Sequence, residues 1–393
     1  MFKEFIKNNI VNISASIIVG IGNWLFRFLI LKFTPPDSST SFASFSALLL
    51  IFSFPGTWIT LMTIRLGIKF KEKFNNHIKK SMFLFISIFL SASILLGYIF
   101  IISKFAFGFY ILAIILIVVG LLGSYYRGLL HHEMLFDKLG FVGIIEVIVK
   151  IIIFLLFINL NQKTLAMFIA STLQSIITLI ILYYLTIRLK SHYDEENITK
   201  IGILTLFYSL SFLFLTNLDT VFARIFLKVD QNLSYIGISQ LSNLILFGSA
   251  ALINVLLPSI QKYRDKLQII KLSFSTGILV ILGGSMVLLF TILEYPRVSS
   301  LFNFTMISKP LALTYLLSII LLSLAQIPLT ILLVKGKKDM VYIVIISTII
   351  QFISYIFFGR SLKTFIIIYA IVSIMLLVLG IISLVRYNLR VTK

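Results

Sequence analysis

The sequence predicts an all-α polytopic membrane protein, with twelve transmembrane helices in two six-helix lobes around a central cavity. Three observations lead to this fold class. The composition is 59% hydrophobic and only 12% charged, against about 25% charged residues in a soluble domain. Apolar runs of about 20 residues, long enough to cross a bilayer, recur between short polar breaks. Basic residues are also concentrated in alternate breaks.

Twelve apolar runs are long enough to be spans. The third and fourth are separated only by Lys104 and its neighbours. In chain order the predicted spans are 10–33, 42–66, 80–103, 105–127, 139–160, 164–187, 201–227, 233–258, 272–294, 309–334, 340–359 and 363–386. A charged break near residue 195 divides them equally, which predicts an N-terminal lobe, 1–195, and a C-terminal lobe, 196–393.

The orientation follows from the lysines and arginines. If the N-terminus is cytoplasmic, most of the 34 basic residues fall in the segments that remain inside, as the positive-inside rule requires. We therefore expect both termini in the cytoplasm. Because the net charge of +20 is explained by this arrangement at the span ends, no nucleic-acid partner is expected.

The starts of the two halves resemble each other. Each half has an arginine late in its first span, Arg27 or Arg224, then a lysine within five residues, a polar break and an aromatic residue. This pattern is what a duplicated transporter with parallel halves leaves in its sequence.

Polar residues form stripes at helical spacing in spans 1, 2, 7 and 8, the first two spans of each half. Small and hydroxylated residues also allow close packing of membrane helices, so this structural alternative stays open. Pro55 is expected to kink span 2. The candidate cavity residues on these stripes are Asn23, Ser53, Thr57, Thr216, Asn217, Thr220 and Asn243.

Charged residues inside spans are stronger candidates, because each costs about 2.5–3.5 kcal/mol on insertion scales unless it faces protein or water. Arg27 and Arg224 are placed in the outer half of the membrane, where snorkelling to the interface is the alternative. Asp219 and Arg224 are five residues apart and differ in direction by about 140°, so they are not expected to pair.

Span 5 carries a second candidate charge pair. Glu146 and Lys150 have the spacing of a local ion pair. The alternatives are that Lys150 helps to hold an anionic ligand or that Glu146 is a protonatable coupling site. The chain has no cysteine, no P-loop and no spacing of ligands typical of a metal site, so no metal, cofactor or catalytic residue is expected.

Three segments resemble one transporter superfamily. They are "FASFSALLLIFSFPGTWITLMTIR" in span 2, "YRGLLHHEMLFDKLGFVGIIEVIVKI" between spans 4 and 5, and "NLDTVFARIFLKVDQNLSYIGISQLSNLILFGSAALINVLLPSI" over spans 7 and 8. Together they resemble the multidrug/oligosaccharidyl-lipid/polysaccharide (MOP) flippase superfamily, and most closely its polysaccharide-biosynthesis, O-antigen-flippase branch. The similarity covers most of residues 1–260.

The resemblance implies a flippase, not an enzyme. Such a protein moves undecaprenyl-pyrophosphate-linked oligosaccharides across the bacterial cytoplasmic membrane by alternating access, through a cavity lined by spans 1, 2, 7 and 8. Its partners would be this substrate and membrane lipids, with a polysaccharide polymerase and a chain-length regulator as further candidates. Arg27, Arg224, Lys150 and Arg65 would then be cationic substrate-binding candidates, and Asp219 and Glu146 candidates for ion coupling.

Two alternatives remain. A membrane-embedded polysaccharide polymerase or ligase is similarly hydrophobic, but usually has a larger outer loop than the break near Glu294 and Lys309. A drug/cation antiporter of the same superfamily would favour acidic cavity residues.

Overall fold

The structure is a computed structural model that describes residues 2–66, 107–158, 163–187, 198–262 and 266–391. Within these ranges, every predicted span except the third coincides with a helix or with a pair of helices. The third span, 80–103, and the lobe boundary at residue 195 lie outside the described residues. The helices are α1 Phe2–Phe33, α2 Pro36–Phe52, α3 Phe54–Leu66, α4 Phe107–His132, α5 Phe136–Phe157, α6 Lys163–Thr186, α7 Ile198–Phe226, α8 Val229–Lys262, α9 Lys266–Leu293, α10 Tyr295–Leu301, α11 Lys309–Val334, α12 Asp339–Phe358 and α13 Leu362–Val391.

Eight of the described helices are long and apolar enough to cross a membrane, and α2 with α3 makes a ninth candidate. The kink expected in span 2 is present. The helix breaks at Ser53, and the two parts are bent by 45°. Pro55 is in the first turn of α3, where the absence of an N–H costs no intrahelical hydrogen bond.

The helices pack in two groups. In the first, α1 packs on α5, α5 on α6, α6 on α4, and α4 on α3. In the second, α11 packs against α8, α9 and α13, while α12 packs against α7 and α13. Most of α11 is buried, so this helix forms the centre of the second group.

The two groups meet in a reciprocal way. Span 1 (α1) packs on span 8 (α8), and span 2 (α2 and α3) packs on span 7 (α7). The two-fold relation expected from the sequence would exchange span 1 with span 7 and span 2 with span 8, and would therefore convert one of these contacts into the other. This pairing brings the four polar stripes of the sequence together.

Apolar contacts join the groups at both ends. At the end predicted to be cytoplasmic, Phe136 of α5 is buried in one cluster with Leu256 and Ile260 of α8. At the opposite end, the Trp24 ring of α1 lies 5.6 Å from the Phe302 ring, which follows α10. Gly237 allows the backbone of Phe302 to lie directly on α8, because a Cβ at this position would overlap the carbonyl oxygen of Phe302.

Candidate functional site

A cavity of about 110 Å³ lies between the two groups. Its walls come from α1, α2, α7 and α8, with α11 and α13 contributing two tyrosines and an isoleucine. Its polar lining consists of Arg27, Ser46, Thr216, Asn217, Asp219, Thr220, Ser239, Gln240, Ser242, Asn243, Tyr315 and Tyr369. By the predicted orientation, these positions lie in the outer halves of their spans.

Arg27 and Lys150, two cationic candidates of the first half, lie on different sides of helix α1. Arg27 lines the cavity, and among the described residues no hydrogen bond or ion pair engages its guanidinium. The preceding residue, Phe26, points about 100° away and is buried against α5. There the Lys150 Nζ lies 4.5 Å from the centroid of the Phe26 ring, as in a cation–π contact. Lys150 therefore lies behind α1 and does not line the cavity.

Asp219 of α7 is held by tyrosines. Its side chain is only 2% exposed, and Oδ2 accepts a hydrogen bond of 2.6 Å from the Tyr235 hydroxyl of α8. The Tyr315 hydroxyl of α11 donates a longer bond of 3.5 Å to the same oxygen. The Tyr235 and Tyr315 rings pack edge to face, with their centroids 5.6 Å apart. The carboxyl group is thus fixed at the wall that the second half contributes to the cavity.

The other polar residues of α7 bond mainly to their own helix. Thr216 Oγ1 donates to the Phe212 carbonyl at 3.0 Å, and Asn217 Nδ2 donates to the Leu213 carbonyl at 2.9 Å. These bonds satisfy the donors locally and leave acceptor oxygens at the cavity wall.

Arg224 lies one helical turn beyond the cavity, where α7 approaches α2. Its Nη1 donates a hydrogen bond of 2.9 Å to the Thr40 Oγ1. Because α2 belongs to the first half, this bond joins the two halves at the end predicted to be the outer one. Arg224 therefore occupies an interface position and not a cavity position, and it does not pair with Asp219.

Glu146 does not bind Lys150, the partner suggested by the spacing of the two residues, but residues of α4 and α6. Its Oε2 lies 2.6 Å from the Arg127 Nη2 of α4, and its Oε1 accepts a hydrogen bond of 2.7 Å from the Gln174 Nε2 of α6. The glutamate thus links three helices of the first half. Among the described residues no ion pair joins Glu146 to Lys150, and the Lys150 Nζ lies against the Phe26 ring.

The remaining candidates lie outside the described lining of the cavity. Asn23 and Thr57 are half-buried, and the Ser53 hydroxyl donates a hydrogen bond of 2.7 Å to the Leu50 carbonyl at the break between α2 and α3. Arg65 is in the last turn of α3, and its side chain is outside the part of the chain that the structure describes.

Sequence reasoning missed the partners that come from other helices. In the sequence, Tyr235 was noted only as the aromatic residue at the start of span 8, and Arg127 only as a basic residue at the end of a span. Tyr315 is 96 positions from Asp219, and no periodicity within one helix indicates such a neighbour. A buried carboxyl group requires hydrogen-bond donors, however, and this requirement gives reason to examine the tyrosines of neighbouring spans.

No family model matches the chain, and no curated protein sequence matches it. Solved structures with a similar fold were found. A crystal structure described as MATE in complex with MaD5 is similar over 99% of this chain and 95% of that chain, with 15% identity and a TM-score of 0.67.

Two further matches differ in conformation. An outward-facing multidrug resistance MATE family transporter of the MOP superfamily is similar over 98% of this chain and 95% of that one, with 16% identity and a TM-score of 0.61. An inward-facing structure of such a transporter covers 98% of both chains, with 15% identity and a TM-score of 0.60. The chain therefore has the fold of these MATE transporters.

Proposed function

We propose that this protein is an alternating-access transporter that moves lipid-linked oligosaccharide repeat units, joined to undecaprenyl pyrophosphate, across the cytoplasmic membrane. The observation that carries the proposal is the position of Arg27 in a polar cavity between the two halves. The fold supports transport over the alternative of a polymerase or ligase, since the similar solved structures are described as transporters.

The cavity chemistry suits a phosphorylated glycan. A guanidinium presents several donors in a fork that matches phosphate oxygens, and the low dielectric of a buried site strengthens this attraction. Thr216, Asn217, Gln240 and Asn243 provide amides and hydroxyls of the kind that bind sugar hydroxyl groups. The hydrocarbon chain of the substrate would remain in the bilayer while the pyrophosphate and the sugars enter the cavity.

The cavity must widen to hold this cargo. Pockets for small molecules typically measure about 300–1,000 Å³, whereas this cavity has about 110 Å³. Opening to the outside requires separation of Trp24 from Phe302 and of Arg224 from Thr40. Opening to the cytoplasm requires separation of Phe136 from α8.

Asp219 is the coupling candidate that the geometry favours. It lines the cavity and is bonded to Tyr235 of α8 and Tyr315 of α11, so a proton or a cation at this carboxyl group would change contacts between helices of the second half. Glu146 lies within the first half, where Arg127 pairs with it.

The distribution of lysines and arginines supports a location in the cytoplasmic membrane with both termini inside. The proposed partners are a polysaccharide polymerase and a chain-length regulator.

A drug/cation antiporter of the same superfamily is the second candidate. The observation that favours it is the carboxyl group of Asp219 among the rings of Tyr315 and Tyr369 at the cavity wall, since carboxylates and aromatic faces both attract organic cations. The two functions make opposite demands on Arg27. A cation substrate is repelled by the arginine, whereas a pyrophosphate requires it.

Substitution of Arg27 separates the two. For the flippase, Arg27→Ala should lower surface polysaccharide in a deletion strain by roughly tenfold to a hundredfold, as expected for the loss of one or two charged hydrogen bonds. Arg27→Glu should abolish it, and Arg27→Lys should restore part of it. The matched control is Lys32→Ala, an exposed cation in the last turn of the same helix, which should have no effect.

Protein abundance is measured in parallel, so that misfolding is recognised. The deletion strain should accumulate lipid-linked repeat units on the cytoplasmic leaflet. Full complementation by both Arg27→Ala and Arg27→Glu contradicts a role of this residue in pyrophosphate binding. If the strain instead becomes sensitive to cationic drugs, and Arg27→Glu retains resistance while Asp219→Asn loses it, the antiporter is the correct function.

A further inference from the structure

A second and larger void lies on the outside of the second half, between α9, α11 and α13. It is a groove of about 660 Å³. Apart from Ser273, Lys335 and Tyr387, its lining is apolar, and the Ser273 hydroxyl is bonded to the Ile269 carbonyl of its own helix. Its apolar lining consists of Ile269, Ile270, Phe274, Gly277, Ile278, Ile281, Leu324, Ile327, Pro328, Ile331, Leu377, Ile381 and Leu384.

The groove has the length of one lipid leaflet. Along α9 it runs from Ile269 to Ile281, which is about 18 Å at 1.5 Å per residue. One leaflet of the hydrocarbon core is about 15 Å thick. The groove therefore extends from one membrane surface to about the midplane, as a single acyl chain does.

The position of a glycine keeps the groove open. Gly277 is on the α9 face of the groove, and a Cβ added there would meet only Ile327 and Leu324, at ordinary contact distances of 3.7 and 4.0 Å. A larger side chain at this position would project into the groove without overlapping the backbone. Gly283, on the same helix, has nothing within 4 Å of such a Cβ and does not line the groove.

Basic side chains mark one end of the groove. Lys335 directly follows α11 as its C-cap residue, is exposed and lines the groove. The Lys337 Nζ lies 4.7 Å from the centroid of the Tyr387 ring, which also lines it. The nearby carboxylate of Asp339 accepts a hydrogen bond of 3.2 Å from Ser383 and is not part of the described lining. This end is the cytoplasmic one in the orientation proposed above.

We propose that this groove is a specific site for an anionic phospholipid of the cytoplasmic leaflet. One acyl chain lies between α9 and α13, and the phosphate is bound by Lys335 and Lys337. Basic residues at a membrane surface attract anionic headgroups. The length of the groove matches an acyl chain that stays within one leaflet. The described lining shares no residue with the cavity between the halves, so the site is separate from the proposed transport route.

The test uses the full-length protein in nanodiscs of phosphatidylcholine with a minor fraction of phosphatidylglycerol that carries a photoactivatable acyl chain. Cross-linked peptides are identified by mass spectrometry, and the same probe on phosphatidylcholine is run in parallel. We expect phosphatidylglycerol cross-links to be concentrated on 269–281 and 377–387. Lys335→Glu should reduce them by roughly fivefold to tenfold, and Gly277→Phe should abolish them.

Each variant has a matched control. Lys338→Glu reverses an exposed charge outside the groove, and Gly283→Phe adds the same ring to an open position of α9, so both should cross-link like the parent protein. Size-exclusion profiles verify that all variants fold. Even labelling of all lipid-facing helices, equal labelling by the phosphatidylcholine probe, or equal effects of the two lysine variants would each overturn the proposal.

Discussion

Tyr235→Phe tests whether the hydrogen bond to Asp219 stabilises the second half. Both residues are buried, and the Tyr235 hydroxyl lies 2.6 Å from the Asp219 Oδ2. The phenylalanine retains the ring contacts with Tyr315 and Phe365, whose centroids are 5.6 and 5.7 Å away. The substitution therefore removes one oxygen and one hydrogen bond without opening a cavity the size of a ring.

The expected cost follows from the geometry. A hydrogen bond to a charged group contributes about 1.5–3 kcal/mol, which corresponds to a change of roughly ten- to 150-fold in the unfolding equilibrium. The remaining bond from Tyr315 is 3.5 Å long, too long to compensate. We therefore expect Tyr235→Phe to lower the free energy of unfolding by about 1.5–3 kcal/mol.

Tyr355→Phe is the matched control. Tyr355 is also fully buried and stacks on Phe365 at 4.5 Å, but its hydroxyl has no hydrogen-bond partner among the described residues. Removing a buried, unbonded hydroxyl relieves a desolvation penalty, so this variant should be neutral or more stable. The pair compares the same chemical change with and without a carboxyl acceptor.

The assay is reversible unfolding in mixed micelles with increasing sodium dodecyl sulfate, followed by far-ultraviolet circular dichroism. Asp219→Asn and the double variant with Tyr235→Phe complete a double-mutant cycle, whose coupling energy isolates the bond between the two side chains. The reasoning is refuted if Tyr235→Phe and Tyr355→Phe change the free energy of unfolding equally, or if the coupling energy is below about 0.5 kcal/mol.

Two further predictions concern the first half and the interface. Arg127→Met should cost about 1 kcal/mol in the same assay, less than for a fully buried pair, because the side chains of Arg127 and Glu146 are 41% and 29% exposed. Adding Glu146→Gln should restore stability, and a double variant as unstable as the single one would contradict the pairing. Arg224→Ala should speed labelling of Asn243→Cys, the only thiol in a cysteine-free chain, by an impermeant maleimide roughly twofold to tenfold. Lys228→Ala is its control, and an unchanged rate would mean that Arg224 does not help to close the outer end.

Most of the fold could be predicted from the sequence, because the bilayer imposes strong constraints on it. Spans must be apolar, about 20 residues long and helical, so hydropathy alone placed the helices and proline placed the bend near Ser53. Outside a span these constraints weaken. The short helix α10, Tyr295–Leu301, lies in a connection that has no hydropathy signal.

The candidate site could be predicted only in part. The periodicity of α7 placed Thr216, Thr220 and Arg224 on one face, with Asn217 and Asp219 on its flank. The cavity lining includes Thr216, Thr220 and both flanking residues, but not Arg224. Periodicity gives directions around one helix, however, and it does not identify the neighbouring helix. Lys150 has the spacing to pair with Glu146. In the structure, however, Lys150 contacts the Phe26 ring of α1, and Glu146 pairs with Arg127 of α4.

The two arginines, one in each half of the sequence, occupy different environments in the structure. Arg27 and Arg224 hold similar positions in the sequence, and both are candidates for binding an anionic substrate. In the structure Arg27 lines the cavity, whereas Arg224 reaches past it to Thr40. The first half therefore contributes a cation to the cavity, and the second half contributes the carboxyl group of Asp219.

This asymmetry bears on the mechanism. With a carboxyl group fixed by Tyr235 and Tyr315 on one wall, a change in the charge of Asp219 alters the field felt by a phosphate held at Arg27 on the other wall. On the proposed function, substrate binding and ion coupling are therefore assigned to different halves. Asp219→Asn should then abolish the dependence of transport on the ion gradient, while the substrate still binds at Arg27.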